Sequence, residues 1–180
     1  MRKLISYLFI SVDGVVEAPN RFLREDHYPD LDPLDATLDE QDAVLLGRRT
    51  YDEWSAFWPD AKIEPFASFI NTTPKFIVSR SRHPLGWSNS TLLNGDFHNA
   101  IAALKSGPGK AVGVHGSISL VQDLLAAGLI DELKLVLCPA AVGQGRSLFI
   151  RDGEPIQLDL VASHSTTNGL HFLTFRPRRQ

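Results

Sequence analysis

The chain contains three short apolar segments, each followed directly by a polar or glycine-rich turn. This pattern restricts the possible fold classes more than any other feature of the sequence. The segments are residues 42–46, 75–78 and 111–114, and the turns after them read GRRT, SRSR and HGS. Helix-compatible sequence alternates with these segments along the chain. Strands that alternate with helices are joined by crossover connections, so the pattern predicts an α/β protein. Its central sheet is expected to be mostly parallel, with helices on both faces.

Hydrophobic periodicity and helix-breaking residues predict the other elements of the first three quarters of the chain. Asp13-Gly14 ends the first strand, Pro59 ends the second helix, and Gly128 closes the last helix in a C-cap position. Asp96 is expected to cap the helix that follows it. The further expected strands are 3–12, 91–93 and 132–138, and the expected helices are 34–41, 49–57, 97–105 and 118–125.

The chain is expected to end in an antiparallel hairpin. Residues 156–162 and 170–176 read as alternating strands, and Asn168-Gly169 lies between them. Asn-Gly is the commonest two-residue hairpin turn, because both residues tolerate positive φ. This hairpin makes the predicted sheet mixed rather than fully parallel.

Length and composition indicate one soluble domain, residues 1–180. The content of 43% hydrophobic and 22% charged residues is ordinary for a globular protein, and no apolar run is long enough to span a bilayer. A net charge of −3 gives no general attraction to nucleic acid or to an anionic membrane. The single cysteine, Cys138, allows neither an intramolecular disulfide nor a structural metal cluster, which favours the cytoplasm.

The three strand-to-helix turns carry groups that bind anions. Ligands of open α/β sheets collect at the carboxyl ends of the strands, where helix N-termini offer free N–H groups. Guanidinium and hydroxyl groups suited to phosphate oxygens occur at 47–50 and 79–82, and a glycine-serine turn occurs at 115–117. The alternative is that the arginines are simply solvated, since each motif alone is weak. Neither GxGxxG nor GxxxxGK[ST] is present.

Five stretches of the chain, spread over nearly its whole length, match one known family. They are SVDGVV at 11–16, DAVLLGRRTYDEW at 42–54, KFIVSRS at 75–81, the Gly116-Ser117 turn, and GLIDELKLVLCPAAVGQGRSLF at 128–149. With these motifs the chain resembles the dihydrofolate reductase-like fold, and within it the family of the C-terminal reductase domain of the riboflavin-biosynthesis enzyme RibD. The resemblance implies a three-layer fold and an NADPH-dependent reductase.

The resemblance also implies which residues hold the cofactor. The Gly-Arg-x-Thr turn would lie over the cofactor phosphates, and the Ser-Arg pair after the next strand would reach the adenosine 2′-phosphate. A second hydroxyl–guanidinium pair suits that additional phosphomonoester, which favours NADPH over NADH. The implied contacts are Val16 beside the nicotinamide, Gly47, Arg48, Arg49 and Thr50, Ser79 and Arg80, and Gly116, Ser117 and Ile118 beside the pyrophosphate.

The later glycine turn departs from the family pattern. Relatives often have three successive glycines there, whereas this chain has Gly116-Ser117-Ile118. Fewer glycines leave less freedom for a close backbone approach to the cofactor. Either cofactor binding is weakened, or Ser117 supplies a compensating hydroxyl.

The substrate side carries fewer signals. Dihydrofolate reductases use a carboxylate on the first helix, and Asp30, Asp32 and Asp35 fall in the corresponding region. Asp13, at the end of the first strand, is a second candidate for orienting a polar substrate. Each has an ordinary alternative, since a helix-starting Asp is often a cap and Asp-Gly is a common turn. Asp13 and Asp32 are the substrate-side candidates.

Three further side chains allow two interpretations each. His115 is either a donor to a phosphate or a hydrogen-bonded structural residue. Trp54 and Trp58 either pack a surface helix or lie near enough to the mouth of the site to stack on a flat heterocycle.

The predicted activity is hydride transfer from NADPH to a carbon–nitrogen double bond, or its open-chain equivalent, in a heterocyclic small molecule. The leading substrate is 5-amino-6-(5-phosphoribosylamino)uracil of riboflavin biosynthesis. The alternatives are dihydrofolate reduction and a non-catalytic NADP(H)-binding module. No side chain is an unmistakable acid, so water is the expected proton donor. A homodimer is expected from the resemblance, with strand 133–138 and the hairpin as either interface or core.

Overall fold

A computed structural model of the protein describes residues 1–31, 33–80, 84–93, 95–149 and 155–178. One eight-stranded sheet with the strand order β4-β3-β2-β5-β1-β6-β8-β7 organises these residues. The strands are β1 (Leu4–Ser11), β2 (Gln41–Gly47), β3 (Lys75–Val78), β4 (Ser90–Leu93), β5 (Ala111–Gly116), β6 (Glu132–Cys138), β7 (Leu158–Ser165) and β8 (His171–Pro177). The α-helices are α1 (Pro33–Asp39), α2 (Arg48–Ser55), α3 (Phe66–Thr72), α4 (Phe97–Ser106) and α5 (Ile118–Ala126).

The predicted mixed sheet is confirmed. Strands β1 to β6 pair with one another in parallel, whereas β8 pairs antiparallel with both β6 and β7. The carboxyl ends of β1, β2, β3, β5 and β6 therefore lie at one edge of the sheet. All of the turns that the sequence singled out follow strands at this edge.

Helices cover both faces of the sheet, because alternate side chains of the central strands are apolar on each side. Ala43 and Leu45 of β2 pack with α4 and α5 on what we call the first face. Val44 and Leu46 pack with α2 and α3 on the second face. Further along the second face, the segment 19–31, which contains two short 3₁₀ helices, packs on β6 through Phe22. Each fully buried aliphatic side chain contributes roughly 1.5–3 kcal/mol to folding.

Two of the predicted helix ends are confirmed in detail. The Asp96 carboxylate accepts a hydrogen bond from the Asn99 N–H at 3.0 Å and so caps α4. Gly128, with φ of 63°, follows α5, and the next N–H, that of Leu129, donates to the Leu124 carbonyl at 2.9 Å. A residue in the left-handed region ends a helix in this way because its turn satisfies the last free carbonyls.

The chain between β3 and β4 differs from the expectation. The described residues 84–89 run without a helix into β4, so the expectation that the turn after β3 begins a helix is wrong for this part. Trp87, only 6% exposed, anchors the connection instead. Its backbone N–H donates to the Tyr51 hydroxyl at 2.9 Å, and its ring N–H donates to the Asn71 side-chain oxygen at 2.9 Å. A buried side chain thus stabilises this connection, whose first turn was grouped with the strand-to-helix turns.

The C-terminal hairpin is confirmed, but its turn is longer than predicted. Thr166 and Leu170 bond through the Thr166 N–H and the Leu170 carbonyl at 2.9 Å, which leaves three residues in the loop. Gly169, with φ of 93°, takes the left-handed position that ends such a loop. Asn168 donates its side-chain N–H to the Asp26 carbonyl at 2.7 Å instead of forming a two-residue turn.

Strand β6 lies inside the sheet, between β1 and β8. Leu133, Leu135, Val136 and Cys138 are all buried there, so of the two interpretations of this strand the core one is correct. No helix in the described part of the chain is long and apolar enough to cross a membrane.

Candidate functional site at the carboxyl edge of the sheet

The two central strands of the sheet separate towards their carboxyl ends. Strands β1 and β5 pair from Leu4↔Val112 only as far as Ser6↔Val114. Beyond this point β1 stays paired with β6, up to Ser11↔Cys138, and β5 stays paired with β2. An opening, which we call the β1–β5 gap, therefore forms at the edge where ligands of α/β sheets bind.

The turn after β2 and the turn after β5 are in direct contact beside this gap. Gly47 is the last residue of β2, and a Cβ atom at this position would collide with the Ser117 hydroxyl. It would also lie 3.0 Å from the Ser117 backbone nitrogen. Only glycine permits this approach, so the two turns that the sequence predicted to share a ligand are brought together.

A second contact joins the same two turns. A Cβ atom on Gly116 would lie 3.0 Å from the Thr50 hydroxyl oxygen, and Gly116 has φ of 132°, where side chains are strained. The Gly116–Ser117 peptide bond is cis. The Thr50 hydroxyl therefore lies directly over the bare backbone that leads into α5.

Ser117 is the N-cap of α5, and Ile118 is its first residue. The Ser117 hydroxyl lies 3.4 Å from the Leu120 N–H, which donates to it, and 3.1 Å from the Ser119 hydroxyl. The hydroxyl thus lies among the free N–H groups of the first helical turn, where the helix dipole favours an anion. Ser117 thus places a hydroxyl at the position where relatives often have a second glycine.

Both arginines of the turn after β2 have a carboxylate partner one helical turn later. Arg48 Nε lies 2.8 Å from Asp52 Oδ1, and Arg49 Nε lies 3.1 Å from Glu53 Oε1. Exposed pairs of this spacing contribute only about 0.3–0.5 kcal/mol, so a phosphate could replace the carboxylate at little cost. Arg48, at 25% exposed, is the more enclosed of the two side chains; Arg49 is 70% exposed.

Ser79 and Arg80 follow β3 at the same edge. Val78 pairs with Gly47, so Ser79 begins next to the start of α2. The Arg80 side chain is exposed and forms no ion pair within the described part of the chain. The rest of the predicted SRSR turn, residues 81 and 82, lies outside the described residues.

Asp13 holds the loop after β6 in place. Its carboxylate accepts hydrogen bonds from the Ser11 hydroxyl at 2.6 Å and from the backbone N–H groups of Gly143 at 2.7 Å and Val142 at 3.1 Å. These bonds, led by that of Ser11, lower the pKa of Asp13 to about 2. A substrate that used Asp13 would have to compete with three donors.

The loops after β1 and β6 bond to each other along the gap. The Val16 N–H donates to the Arg146 carbonyl at 3.0 Å, and the Leu148 N–H donates to the Gly14 carbonyl at 3.0 Å. Gln122 of α5 holds the same segment by donating to the Leu148 carbonyl at 3.1 Å. Val16 is 6% exposed and packs on the first face, close to the end of β1.

No contact in the described part of the chain joins the other two substrate-side aspartates to the gap. Asp32 lies outside the described residues. Asp35 is exposed in the first turn of α1.

A histidine and a group of aromatic rings line the second face beside the gap. His115 is the first β5 residue beyond the part that pairs with β1. The centroid of its ring lies 6.3 Å from that of Trp54, 5.5 Å from that of Phe66 and 5.9 Å from that of Phe69. Its Nε2 lies 2.8 Å from the Gln41 side-chain oxygen. Burial lowers the pKa of His115 to about 4. His115 is therefore hydrogen-bonded and uncharged at neutral pH, which disfavours its interpretation as a donor to phosphate.

The sequence did not indicate Phe66 and Phe69, because α3 was not predicted. The spacing of Phe66, Phe69 and Ile70 after Pro65 is the pattern of a short amphipathic helix, and it was the available signal. Gln41 gave no such signal. A register shift between Gln41 and Ala43 in β2 accompanies its position beside His115.

Solved structures share this fold. A putative riboflavin biosynthesis protein from Shewanella sp. PV-4 matches with a TM-score of 0.75 at 21% identity, over 98% of this chain and 99% of that one. A dihydrofolate reductase from Enterococcus faecalis, solved in complex with NADP(H), matches with a TM-score of 0.65 at 10% identity, over 98% of this chain and 97% of that one. The chain therefore has the dihydrofolate reductase-like fold.

Sequence comparison places the chain more narrowly. The family model of the RibD C-terminal domain matches residues 2–172, and the chain belongs to this family, as the resemblance predicted. The uncharacterized protein YyaP of Bacillus subtilis is 27% identical over 177 residues, which cover 94% of this chain and 92% of that protein.

Proposed function

We propose that the protein is an NADPH-dependent reductase of a heterocyclic small molecule. The contact of Gly47 with Ser117, which joins two helix N-termini beside the β1–β5 gap, carries this proposal. Two helix starts and a threonine hydroxyl at one point provide the N–H and O–H donors that a pyrophosphate needs. The Enterococcus faecalis enzyme of the same fold is solved with NADP(H), which supports the choice of cofactor.

The described residues fit the cofactor in three places. The first-turn N–H groups of α2 and α5, with Thr50 and Ser117, would hold the pyrophosphate. Ser79 and Arg80 would hold the 2′-phosphate, because Arg80 is exposed and unpaired in the described part of the chain. Val16 would border the nicotinamide at the gap.

When bound, NADPH supplies the hydride. The chain's own part is to align the acceptor across the gap and to exclude water from it. Leu8, Ile10 and Val16 on the first face and the aromatic rings on the second face make both sides of the gap apolar. Asp13 is committed to the loop after β6, so water remains the expected proton donor.

Reduction of 5-amino-6-(5-phosphoribosylamino)uracil is the leading activity. Membership of the RibD C-terminal domain family and the name of the Shewanella protein support it. Dihydrofolate reduction is the alternative that the Enterococcus faecalis structure favours. A non-catalytic NADP(H)-binding module is the remaining alternative, and it would bind the cofactor without turnover.

Calorimetric titration with NADPH and NADH tests the cofactor. We expect NADPH to bind at least tenfold more tightly, and Arg80→Ala to remove most of this preference. The matched control is Arg176→Ala, an exposed arginine on β8, which should change neither affinity. No uptake of NADPH by folded protein would refute the proposal.

Turnover is then measured by the absorbance of the reduced nicotinamide. The pyrimidine intermediate and dihydrofolate are offered separately to the protein with NADPH. Oxidation with one of them identifies the activity, whereas binding of NADPH without oxidation by either favours the non-catalytic module.

The expected homodimer would use the hairpin, because β6 lies within the sheet. Strand β7 is an edge strand, and Leu160 and Val161 on it are 55% and 45% exposed. Light scattering of wild type and of Val161→Lys checks this assignment; a dimer that survives the substitution would exclude this surface.

A further inference from the structure

The side chain of Gln41 fixes which nitrogen of His115 carries the proton. Gln41 donates its side-chain N–H to the Thr37 carbonyl at 2.8 Å, so the atom that faces His115 is the amide oxygen. An amide oxygen only accepts hydrogen bonds, and therefore His115 Nε2 must be the donor. The neutral imidazole then carries its lone pair on Nδ1.

The Nδ1 lone pair has no donor in the described structure. Nε2 makes the only hydrogen bond of the His115 side chain within the described residues, and the residue is half-buried. Burial keeps the ring neutral, since it lowers the pKa of His115 to about 4. The second face thus has one hydrogen-bond acceptor, His115 Nδ1, among aromatic rings.

The backbone beneath the pair is shaped to receive it. A Cβ atom on Gly113 would lie 2.5 Å from Gln41 Cδ and 2.7 Å from His115 Nε2. The glycine therefore lets Gln41 and His115 lie flat on β5. This space is separate from the contacts that Gly47 and Gly116 make in the cofactor turns.

We propose that His115 is a substrate-recognition residue whose Nδ1 accepts a hydrogen bond from a ring N–H or amino group of a planar, uncharged heterocycle. Gln41 is a positioning residue that fixes the tautomer in which Nδ1 is the acceptor. Trp54, Phe66 and Phe69 enclose the same ring and provide apolar surface for a flat substrate. This inference rests on the proposed reductase function and names the contact by which its site selects a substrate.

The test uses lumazine and 1,3-dimethyllumazine, in which methyl groups replace the two ring N–H hydrogens. Binding is followed by quenching of tryptophan fluorescence, with and without NADPH. We expect lumazine to bind wild type at least tenfold more tightly than the methylated probe. Leaving the His115 acceptor without a hydrogen-bond donor should weaken binding by about this factor. His115→Phe should remove the difference, and His98→Phe, a change at an exposed histidine on α4, should keep it.

Nitrogen-15 NMR of the His115 ring distinguishes a role in substrate recognition from a purely structural one. Wild type should show the neutral tautomer protonated at Nε2, and lumazine should shift the Nδ1 resonance. Gln41→Leu should produce a mixture of the two tautomers and lose most of the discrimination between the probes.

Three results would overturn the inference. They are equal binding of both probes by wild type, discrimination that persists in His115→Phe, and an Nδ1 resonance unchanged by millimolar lumazine. Calorimetry with NADPH on the same variants separates this failure from that of the reductase proposal: His115→Phe should leave the NADPH affinity of wild type unchanged.

Discussion

A side chain on Gly47 would occupy the space that the Ser117 hydroxyl fills. The two residues lie at the ends of neighbouring strands, and their contact brings the start of α2 against the start of α5. The pyrophosphate site that we propose exists only while these turns touch.

Gly47→Ala is therefore expected to damage both stability and cofactor binding. The new Cβ must displace Ser117 together with its backbone nitrogen, and overpacking of this kind typically costs about 1–3 kcal/mol. We expect at least a tenfold loss of NADPH affinity by calorimetry, and a lower free energy of unfolding in urea. Gly86→Ala is the matched control, because a Cβ there meets nothing within 4 Å. An alanine at 47 that binds NADPH normally would contradict the site.

Gly113→Ala should disturb the second face without touching the cofactor turns. Its Cβ would press on Gln41 Cδ and on His115 Nε2, so the hydrogen bond between these side chains must break or shift. We expect a destabilisation of about 1–3 kcal/mol in urea unfolding and a changed His115 tautomer by NMR. NADPH affinity should stay close to that of wild type. Gly107→Ala, where a Cβ would have only ordinary contacts, is the comparison.

Asp13 should make the stability of the protein depend on acid pH. Its pKa is lowered from 3.8 to about 2 in the folded state, so the unfolded chain binds more protons between these two values. The stabilisation by Asp13 is complete above about pH 4 and is lost as the pH falls through about 2. Urea unfolding across this range should show a shallower loss in Asp13→Asn than in wild type. The exposed Asp60→Asn should behave as wild type does.

Lys75 should make the stability of the protein depend on alkaline pH, with the same sign. Its side chain is fully buried, it donates to the Ile70 carbonyl at 2.8 Å, and its Nζ lies 4.5 Å from the centre of the Trp87 ring. Burial lowers its pKa from 10.5 to about 8. The unfolded chain then binds more protons between these values, so the free energy of unfolding rises with pH across this interval.

The size of this rise is about 1–3 kcal/mol, because the carbonyls and the ring offset part of the desolvation of the ammonium group. Urea unfolding at pH 8 and at pH 10.5 measures it. Lys75→Met should abolish the rise, whereas Lys62→Met, a change at an exposed lysine, should not. A stability that falls over this interval in wild type, and rises in Lys75→Met, would contradict the assignment.

The elements that sequence could predict are those whose signals are local. Apolar runs such as 111–114 became strands, Asp96 became a cap, and Gly128 ended its helix. The contact of the turns at Gly47 and Gly116 also followed, because parallel strands bring their carboxyl ends to one edge.

What sequence missed depends on tertiary packing. The connection before β4 is held by Trp87, whose partners Tyr51 and Asn71 lie far away along the chain. A register shift in β2 accompanies the pairing of Gln41 with His115, and nothing near Gln41 signals one. The opening between β1 and β5 is likewise a matter of where pairing stops, which side-chain periodicity does not encode.

The position of β1 has a consequence for how the chain reaches its folded state. It is synthesised before the other strands of this sheet, yet the strands on either side of it are the fifth and the sixth. The backbone N–H and C=O groups of β1 stay unpaired until most of the polypeptide has been synthesised, because both of its partner strands come late in the chain. Such non-local pairing slows folding and leaves apolar edges uncovered, so the nascent protein should be most vulnerable to aggregation before translation has passed residue 138.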